Sequence, residues 1–381
     1  MSDIEVIANA EPQSLAAFDA IIDVRSPAEF AEDHVPGAVS LPVLSNAERA
    51  QVGTIYVQES RFKARRIGAA LIARNVAAHL ETALADKGGD FRPLIYCWRG
   101  GQRSGAMATI LAQIGWRTAV LAGGYKTYRR RVQSRLYDET PPLRLVLIEG
   151  RTGSGKTEVL GRLAALGVQT LDLEGLAEHR GSVFGGVAGR EQPSQKLFES
   201  RLLAALEGLD LARPIVVEAE ASKVGDRMVP PALWKAMVAA PRITLAAPPA
   251  ERARYLALNY ADVVADRAVF EASLARLPIP PGRKALAAWA ALADAGDLAT
   301  LAAELIAAHY DPAYDRADRK DERPRLAAIE MLGLGAAGAD ENAVARLDQL
   351  HRRRRGLDLI LVFGFPIEFG HVTTFHLMYD F

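Results

Sequence analysis

The octapeptide GRTGSGKT, residues 150–157, narrows the folds open to this chain more than any other stretch. It satisfies G-x-x-x-x-G-K-[ST], a pattern that works only where a strand runs into a glycine-rich loop and then a helix. Both contexts are present: the apolar run LRLVLIEG (143–150) precedes it and a helical pattern follows. Gly150, Gly153 and Gly155 permit close backbone approach to phosphate oxygens, with Ser154 among them. Lys156 supplies a point charge for terminal phosphates, and Thr157 could reach a Mg²⁺ ion. A parallel α/β sheet is therefore expected. VQTLDLE (168–174), RPIVVEAE (213–220) and RITLAAP (242–248) read as its further strands, followed by Ala/Leu-rich helices over 250–310. Asp172, Glu174, Glu218 and Glu220 fall at strand ends where an acid could bridge a metal. None is a clean Walker B aspartate, and no adenine or guanine recognition motif stands out. A nucleotide and a diphosphate without a nucleoside both remain open.

The first part of the chain reads as a second α/β unit. AIIDVRS (20–26), PLIYC (93–97) and TAVLAGG (118–124) are short apolar strands. SGAMATILAQIG (104–115) has helical spacing, with Ser104 as N-cap and Gly115 as stop. A helical insertion rich in Ala, Arg and Glu covers about 46–87. Between the second strand and the helix lies CWRGGQRS (97–104), with the chain's one cysteine. A thiolate is the nucleophile, and its pKa falls near positive charge and amide dipoles. Arg99 and Arg103 would add charge. Gly100 and Gly101 would let amides turn inward as an anion nest, and the following helix aims its positive end at the loop. Cys97 is the candidate nucleophile, and Trp98, Arg99, Gly100, Gly101 and Arg103 are the candidate anion-binding set. The expected organisation is 1–137 as the thiol domain, 138–340 as the P-loop domain with DETPPL (138–143) as the join, and 341–381 as a tail of different character.

Lysine plus arginine and aspartate plus glutamate are both 46, so net charge makes no case for nucleic acid. A local patch is another matter. YKTYRRRVQSR (125–135) interleaves five basic residues with two tyrosines and holds no acid, which suits phosphates and stacked bases. Lys126, Arg129, Arg130 and Arg131 are the candidate contacts; RFKARR (61–66) could extend the patch, and the run 352–355 is weaker. No signal-peptide pattern or long apolar run is seen, and a lone cysteine fits a reducing compartment. A cytoplasmic protein without a membrane span is expected. No CxxC or HExxH occurs, so no built-in metal site is expected.

DVRSPAEFAEDHVPGAVSLP (23–42), with Asp23, Arg25, Glu29, His34 and Gly37, resembles the stretch preceding the catalytic loop of the rhodanese family. The loop is one residue longer than the usual Cys-x4-Arg of sulfurtransferases, a length that also occurs in phosphatases of this fold. A rhodanese-like domain followed by a P-loop domain resembles the bacterial tRNA 2-selenouridine synthase family. NAERAQVGTIY (46–56), LAGGYKTYRR (121–130), LEGLAEHRGSVFG (173–185), VEAEASKVG (217–225) and HYDPAY (309–314) carry that likeness over roughly 15–345. The resemblance implies a tRNA partner, its wobble 2-thiouridine being S-geranylated by geranyl diphosphate. The S-geranyl group is then replaced by selenium from selenophosphate, carried on Cys97. Arg99 and Arg103 would hold selenophosphate, and the P-loop would hold the departing diphosphate. No tightly bound cofactor and no obligate protein partner are implied. The helices over 250–310 are candidates for the prenyl pocket, and His179, Arg180 and Ser182 for a substrate loop. Two other readings stay open on the residues: a phosphatase–kinase fusion using a phosphocysteine and ATP, and a non-catalytic tRNA-binding or scaffold protein with vestigial loops.

Overall fold

The computed structural model describes residues 4–331 and 334, apart from 140–141, 187–189, 278–279 and 319–322. The tail over 341–381 lies outside the described residues. Two units emerge from the chain's internal contacts: 1–139 joined by 194–204, and the remainder.

Both units are α/β, each built on a parallel five-stranded sheet, as the strand–helix alternation requires. The first contains β1 (Glu5–Ile7), β2 (Ala20–Asp23), β3 (Val39–Ser40), β4 (Pro93–Tyr96) and β5 (Ala119–Leu121) in the order β1-β5-β4-β2-β3. Strand β4 is buried along its whole length at the centre, pairing Tyr96 with Asp23 of β2 and Ile95 with Val120 of β5. Cys97 therefore leaves the carboxyl end of the central strand, where open α/β sheets bind ligands. Ile22, Ile95, Met107 and Leu111 form the core between the sheet and the Gln102–Ile114 helix. The insertion folds as two helices, Asn46–Gln58 and Arg61–Glu81, each N-capped by a serine, Ser45 and Ser60.

The second sheet contains β6 (Leu145–Gly150), β7 (Thr170–Leu171), β8 (Ile215–Glu218), β11 (Arg242–Ala246) and β12 (Arg325–Glu330), in the order β12-β11-β6-β8-β7. A two-stranded hairpin, β9 (Lys223–Val224) with β10 (Arg227–Met228), stands apart. Central β6 feeds the Lys156–Ala165 helix through the P-loop.

Several expectations need correction. The helix after the thiol loop starts at Gln102, with Gly101 as its N-cap, so Ser104 lies inside the first turn. Gly115 does end it, in the left-handed conformation. The strand expected over 168–174 shrinks to Thr170–Leu171, because the Asp172 side chain accepts from the Gly175 amide at 2.7 Å and opens a short helix. Unforeseen are β1, β3, β12, the hairpin and the Gln195–Glu207 helix, whose first ten residues belong to the first unit.

A buried ion pair sits under the thiol loop. Arg25 and Asp23 are 1% and 0% exposed, joined at 2.6 Å, and Arg25 also donates to the Asp33 carbonyl at 2.5 Å. Removing one partner of such a pair strands the other charge in the core. Asp23→Ala is expected to cost about 3–5 kcal/mol of stability, read as a lower urea midpoint, whereas Lys63→Ala on the exposed pair with Glu59 should shift it little.

Candidate functional site

Cys97 is buried, and its sulfur accepts hydrogen bonds from the Gly101 amide at 3.1 Å and the Ser104 hydroxyl at 3.2 Å. Burial alone would push the thiol up. The Ser104 hydroxyl and the amides of Ser104, Gly101 and Arg99 outweigh it and bring the pKa below the ordinary thiol value. The activating groups are thus nest and helix-end donors. Arg103 does not aim at the sulfur: its guanidinium grips Glu29 at 2.6 and 3.1 Å. Burial raises the Glu29 carboxyl, but Arg103 and the Ser26 cap bring it down to about 2. Arg99 is exposed on the loop, and Gly100 and Gly101 are exposed beside it. Trp98 stacks on Tyr125, with ring centroids 5.2 Å apart.

The loop is pinned from behind. The Tyr125 amide donates to the Cys97 carbonyl at 2.8 Å and the Lys126 amide to the Trp98 carbonyl at 3.2 Å. Gly124 makes this approach feasible: it has φ +58°, and a Cβ there would meet the Cys97 carbonyl oxygen at 2.1 Å. The Tyr125 ring lies 4.1 Å under the Arg25 guanidinium, and its hydroxyl donates to Asp33 at 2.6 Å. Ser104 and Tyr125 are site residues that the sequence reading missed in these roles. The signal for Ser104 was its position, seven residues after the cysteine.

In the second unit the P-loop lines a pocket of about 1600 Å³. Gly153 and Gly155 hold φ of +84° and +77°, so only glycine suits them without strain. Ser154 is buried, and Gly150 closes β6 against it. Lys156 donates to the Gly150 carbonyl at 3.3 Å. Burial pulls its pKa down, but the phenols of Tyr314 and Tyr260 and the carboxyls of Glu220 and Glu174 leave it above the ordinary lysine value. The Thr157 hydroxyl donates to Glu174 at 3.1 Å. Glu220 is raised by burial and by Glu174, against the pull of Lys156. Of the four acids flagged at strand ends, Glu174 and Glu220 line the pocket. Asp172 caps a helix, and fully buried Glu218 accepts from the Leu173 amide at 3.1 Å. Among the described residues, no group of three or more His, Cys, Asp or Glu side chains is arranged to hold a metal ion.

His179, Arg180 and Ser182 also line this pocket. Arg180 is held by Asp262 at 2.9 and 3.0 Å, and Ser182 by the Tyr260 hydroxyl at 3.1 Å. From the HYDPAY stretch, Tyr314 meets Thr152 at 3.3 Å, and Asp311 braces the buried Arg252 against the P-loop at 2.7 Å. A small apolar cavity of about 40 Å³ shares Leu256 and Tyr260 with the pocket and is otherwise lined from Phe270, Leu301, Leu305 and their neighbours. The basic segment is less available than its sequence implies. Arg129 pairs with Glu199, and Arg131 with Glu11 at 3.0 Å; Lys126 and Arg130 are exposed. No helix among the described residues is long and apolar enough to cross a membrane.

The thiol geometry predicts its titration. Ser104→Ala removes one donor to the sulfur, so the Cys97 pKa should rise and the thiolate fraction at neutral pH should fall. Thiolate absorbance followed against pH is the check: wild type should titrate below the ordinary thiol value, and the variant at higher pH than wild type.

Residues 8–131 match the rhodanese-like domain model, and residues 143–275 match the tRNA 2-selenouridine synthase AAA domain model. The tRNA 2-selenouridine synthase of Nitrosomonas europaea is 34% identical over 265 residues, 68% of this chain and 68% of that protein. That of Aeromonas salmonicida is 37% identical over 63% of this chain and 64% of its own length, and that of Cupriavidus necator is 36% identical over 66% and 68%. Identity at this level across two thirds of both partners, with both domain models matched in order, means that the chain belongs to the tRNA 2-selenouridine synthase family.

Proposed function

We propose that the chain converts 2-thiouridine in tRNA to 2-selenouridine in two steps, with the phosphate chemistry at the P-loop and the selenium chemistry at Cys97. The observation that carries this reading is the donor set on the Cys97 sulfur, a built cradle for an anion of sulfur or selenium, in a chain that also holds an intact P-loop.

In the first step the thiocarbonyl sulfur attacks the first carbon of geranyl diphosphate. A carbon–sulfur bond forms, the carbon–oxygen bond breaks and diphosphate leaves. The P-loop amides, Lys156 and the Lys156–Ala165 helix end are suited to stabilise that leaving charge. A Mg²⁺ ion would find Thr157 and Glu174 beside the diphosphate. The apolar cavity next to Tyr260 and Leu256 could take part of the prenyl chain on opening. In the second step Cys97 enters as a mixed disulfide with an external thiol: the selenide-level selenium of selenophosphate attacks the Cys97 sulfur, the external thiol leaves, and water takes the phosphoryl group as phosphate, so that Cys97 carries a selenyl group. Its terminal selenium attacks carbon 2 of the base and the geranyl thiolate departs. An external thiol then attacks the Cys97 sulfur, the selenium–sulfur bond breaks to free the selenouridine, and the mixed disulfide that forms on Cys97 accepts the next selenium. Alkylation makes sulfur a better leaving group than a free thiocarbonyl, which is the chemical reason for the order of steps. Exposed Arg99 is the arginine of the loop that remains available to a phosphate-bearing donor. Arg103 shapes the loop through Glu29.

Nucleoside mass spectrometry tests the division of labour. Incubation of 2-thiouridine tRNA with geranyl diphosphate and selenophosphate under reducing, anaerobic conditions should give 2-selenouridine with wild type. Cys97→Ser should stop at the S-geranyl nucleoside, and Lys156→Ala should leave 2-thiouridine unmodified. Geranylation surviving Lys156→Ala would remove the diphosphate from the P-loop.

A further inference from the structure

A groove of about 920 Å³ lies along the two insertion helices, Asn46–Gln58 and Arg61–Glu81, and takes in Gln102, Arg103 and Ala106 of the helix that follows the thiol loop. Its lining includes Arg49, Arg65 and Arg103 and no acidic residue. The acids nearby are occupied: Glu48 caps its own helix through Ser45, Glu59 pairs with Lys63, and Glu29 is gripped by Arg103 with Arg49 3.9 Å away, which leaves Arg65 as the cation of this lining that is not committed to Glu29. Arg65 pairs with no acid among the described residues. Tyr56 lines the groove 42% exposed, with the Arg61 guanidinium 5.6 Å from its ring centroid, and Phe62 follows at 76% exposed. Aromatic rings left in water on a cationic hairpin add nothing to the core. Together they offer flat faces for bases and charges for phosphates.

We propose that this groove binds the single-stranded anticodon loop of the tRNA and delivers the wobble nucleoside to the Cys97 loop, an assignment that rests on the function proposed above. The geometry favours it over the basic segment that the sequence suggested. On the Tyr125–Gln133 helix the rings of Tyr125 and Tyr128 are buried at 3% and 2% exposure, so they present no stacking face. Arg129 and Arg131 there are committed to Glu199 and Glu11. On the insertion hairpin, the Tyr56 ring and Arg65 line the same open groove, and that lining reaches Gln102 and Arg103 beside the thiol loop.

The test uses the full chain and an anticodon stem-loop RNA carrying 2-thiouridine, with binding read by fluorescence anisotropy across a salt series. Tyr56→Ala should weaken binding at least roughly fivefold, the lower end for loss of one stacked base. Arg65→Ala should lower the slope of log affinity against log salt by about 0.7, the loss of one phosphate contact on a single strand. The Cys97 thiol should titrate as in wild type in both variants. Wild-type affinity and slope in both would overturn the groove assignment while leaving the function standing, and loss of binding in Lys126→Ala with Arg130→Ala instead would move the RNA to the other helix. A change of sedimentation state with RNA affinity intact would make the groove an interface between copies and also overturn it. A wild-type chain that binds no such RNA would bring down the function itself, and the groove with it.

Discussion

The buried guanidinium of Arg25 is the charge around which the thiol site is assembled. It is neutralised by Asp23 on the strand next to the one that delivers Cys97, it caps the Asp33 carbonyl, and it supports the Tyr125 ring from one side. Tyr125 in turn holds the Cys97 carbonyl through its amide and stacks on Trp98. The loop's backbone is thus fixed from below by a charge that cannot reach water. The donors around the sulfur are then in place before any substrate arrives, which is what electrostatic preorganisation requires. A loop held by side chains on its outer surface would have to be ordered at the moment of reaction.

The P-loop unit solves a related problem with different parts. Its glycines let the backbone fold back on itself, and the cost of that tight loop is met by Arg252, which is buried, reaches the Thr152 carbonyl and is charge-balanced by Asp311. Lys156 faces two carboxyls and two phenols, so the pocket floor carries opposite charges at close range. An anion bound there would shift that balance, because Lys156 would gain a partner. A raised Glu220 carboxyl suits such a site, because a protonated acid can donate to a phosphate oxygen where a carboxylate would repel it.

What could be read in advance follows from how local each signal is. The strand before Cys97, the glycine-rich turn after Ile148 and the stop at Gly115 are set by neighbouring residues, and they appear where the pattern put them. The destination of a side chain is not local. Arg103 reads as an arm for the substrate until Glu29, 74 positions away, takes it. Arg129 reads as a phosphate contact until Glu199, 70 positions away, claims it. Ser104 reads as a cap because its spacing suits one; the helix begins earlier, and the hydroxyl turns to the sulfur instead. Short edge strands such as β3 and β7 escaped or shrank because two residues carry almost no periodicity.

The short segment 194–204 gives the chain an unusual wiring. It comes after the P-loop in sequence, yet it packs as part of the unit that holds the thiol. Glu199 on it is buried and neutralises Arg129, and it also accepts from Tyr137, while Lys196 reaches Glu32. The chain therefore passes from the first unit to the second, returns, and leaves again. A fragment cut at the join near residue 139 would keep Arg129 but lose the carboxylate that balances it, so the thiol unit is complete only after the first part of the P-loop unit, residues 140–193, has been synthesised. During translation, one domain must wait for part of its own core to emerge within the other.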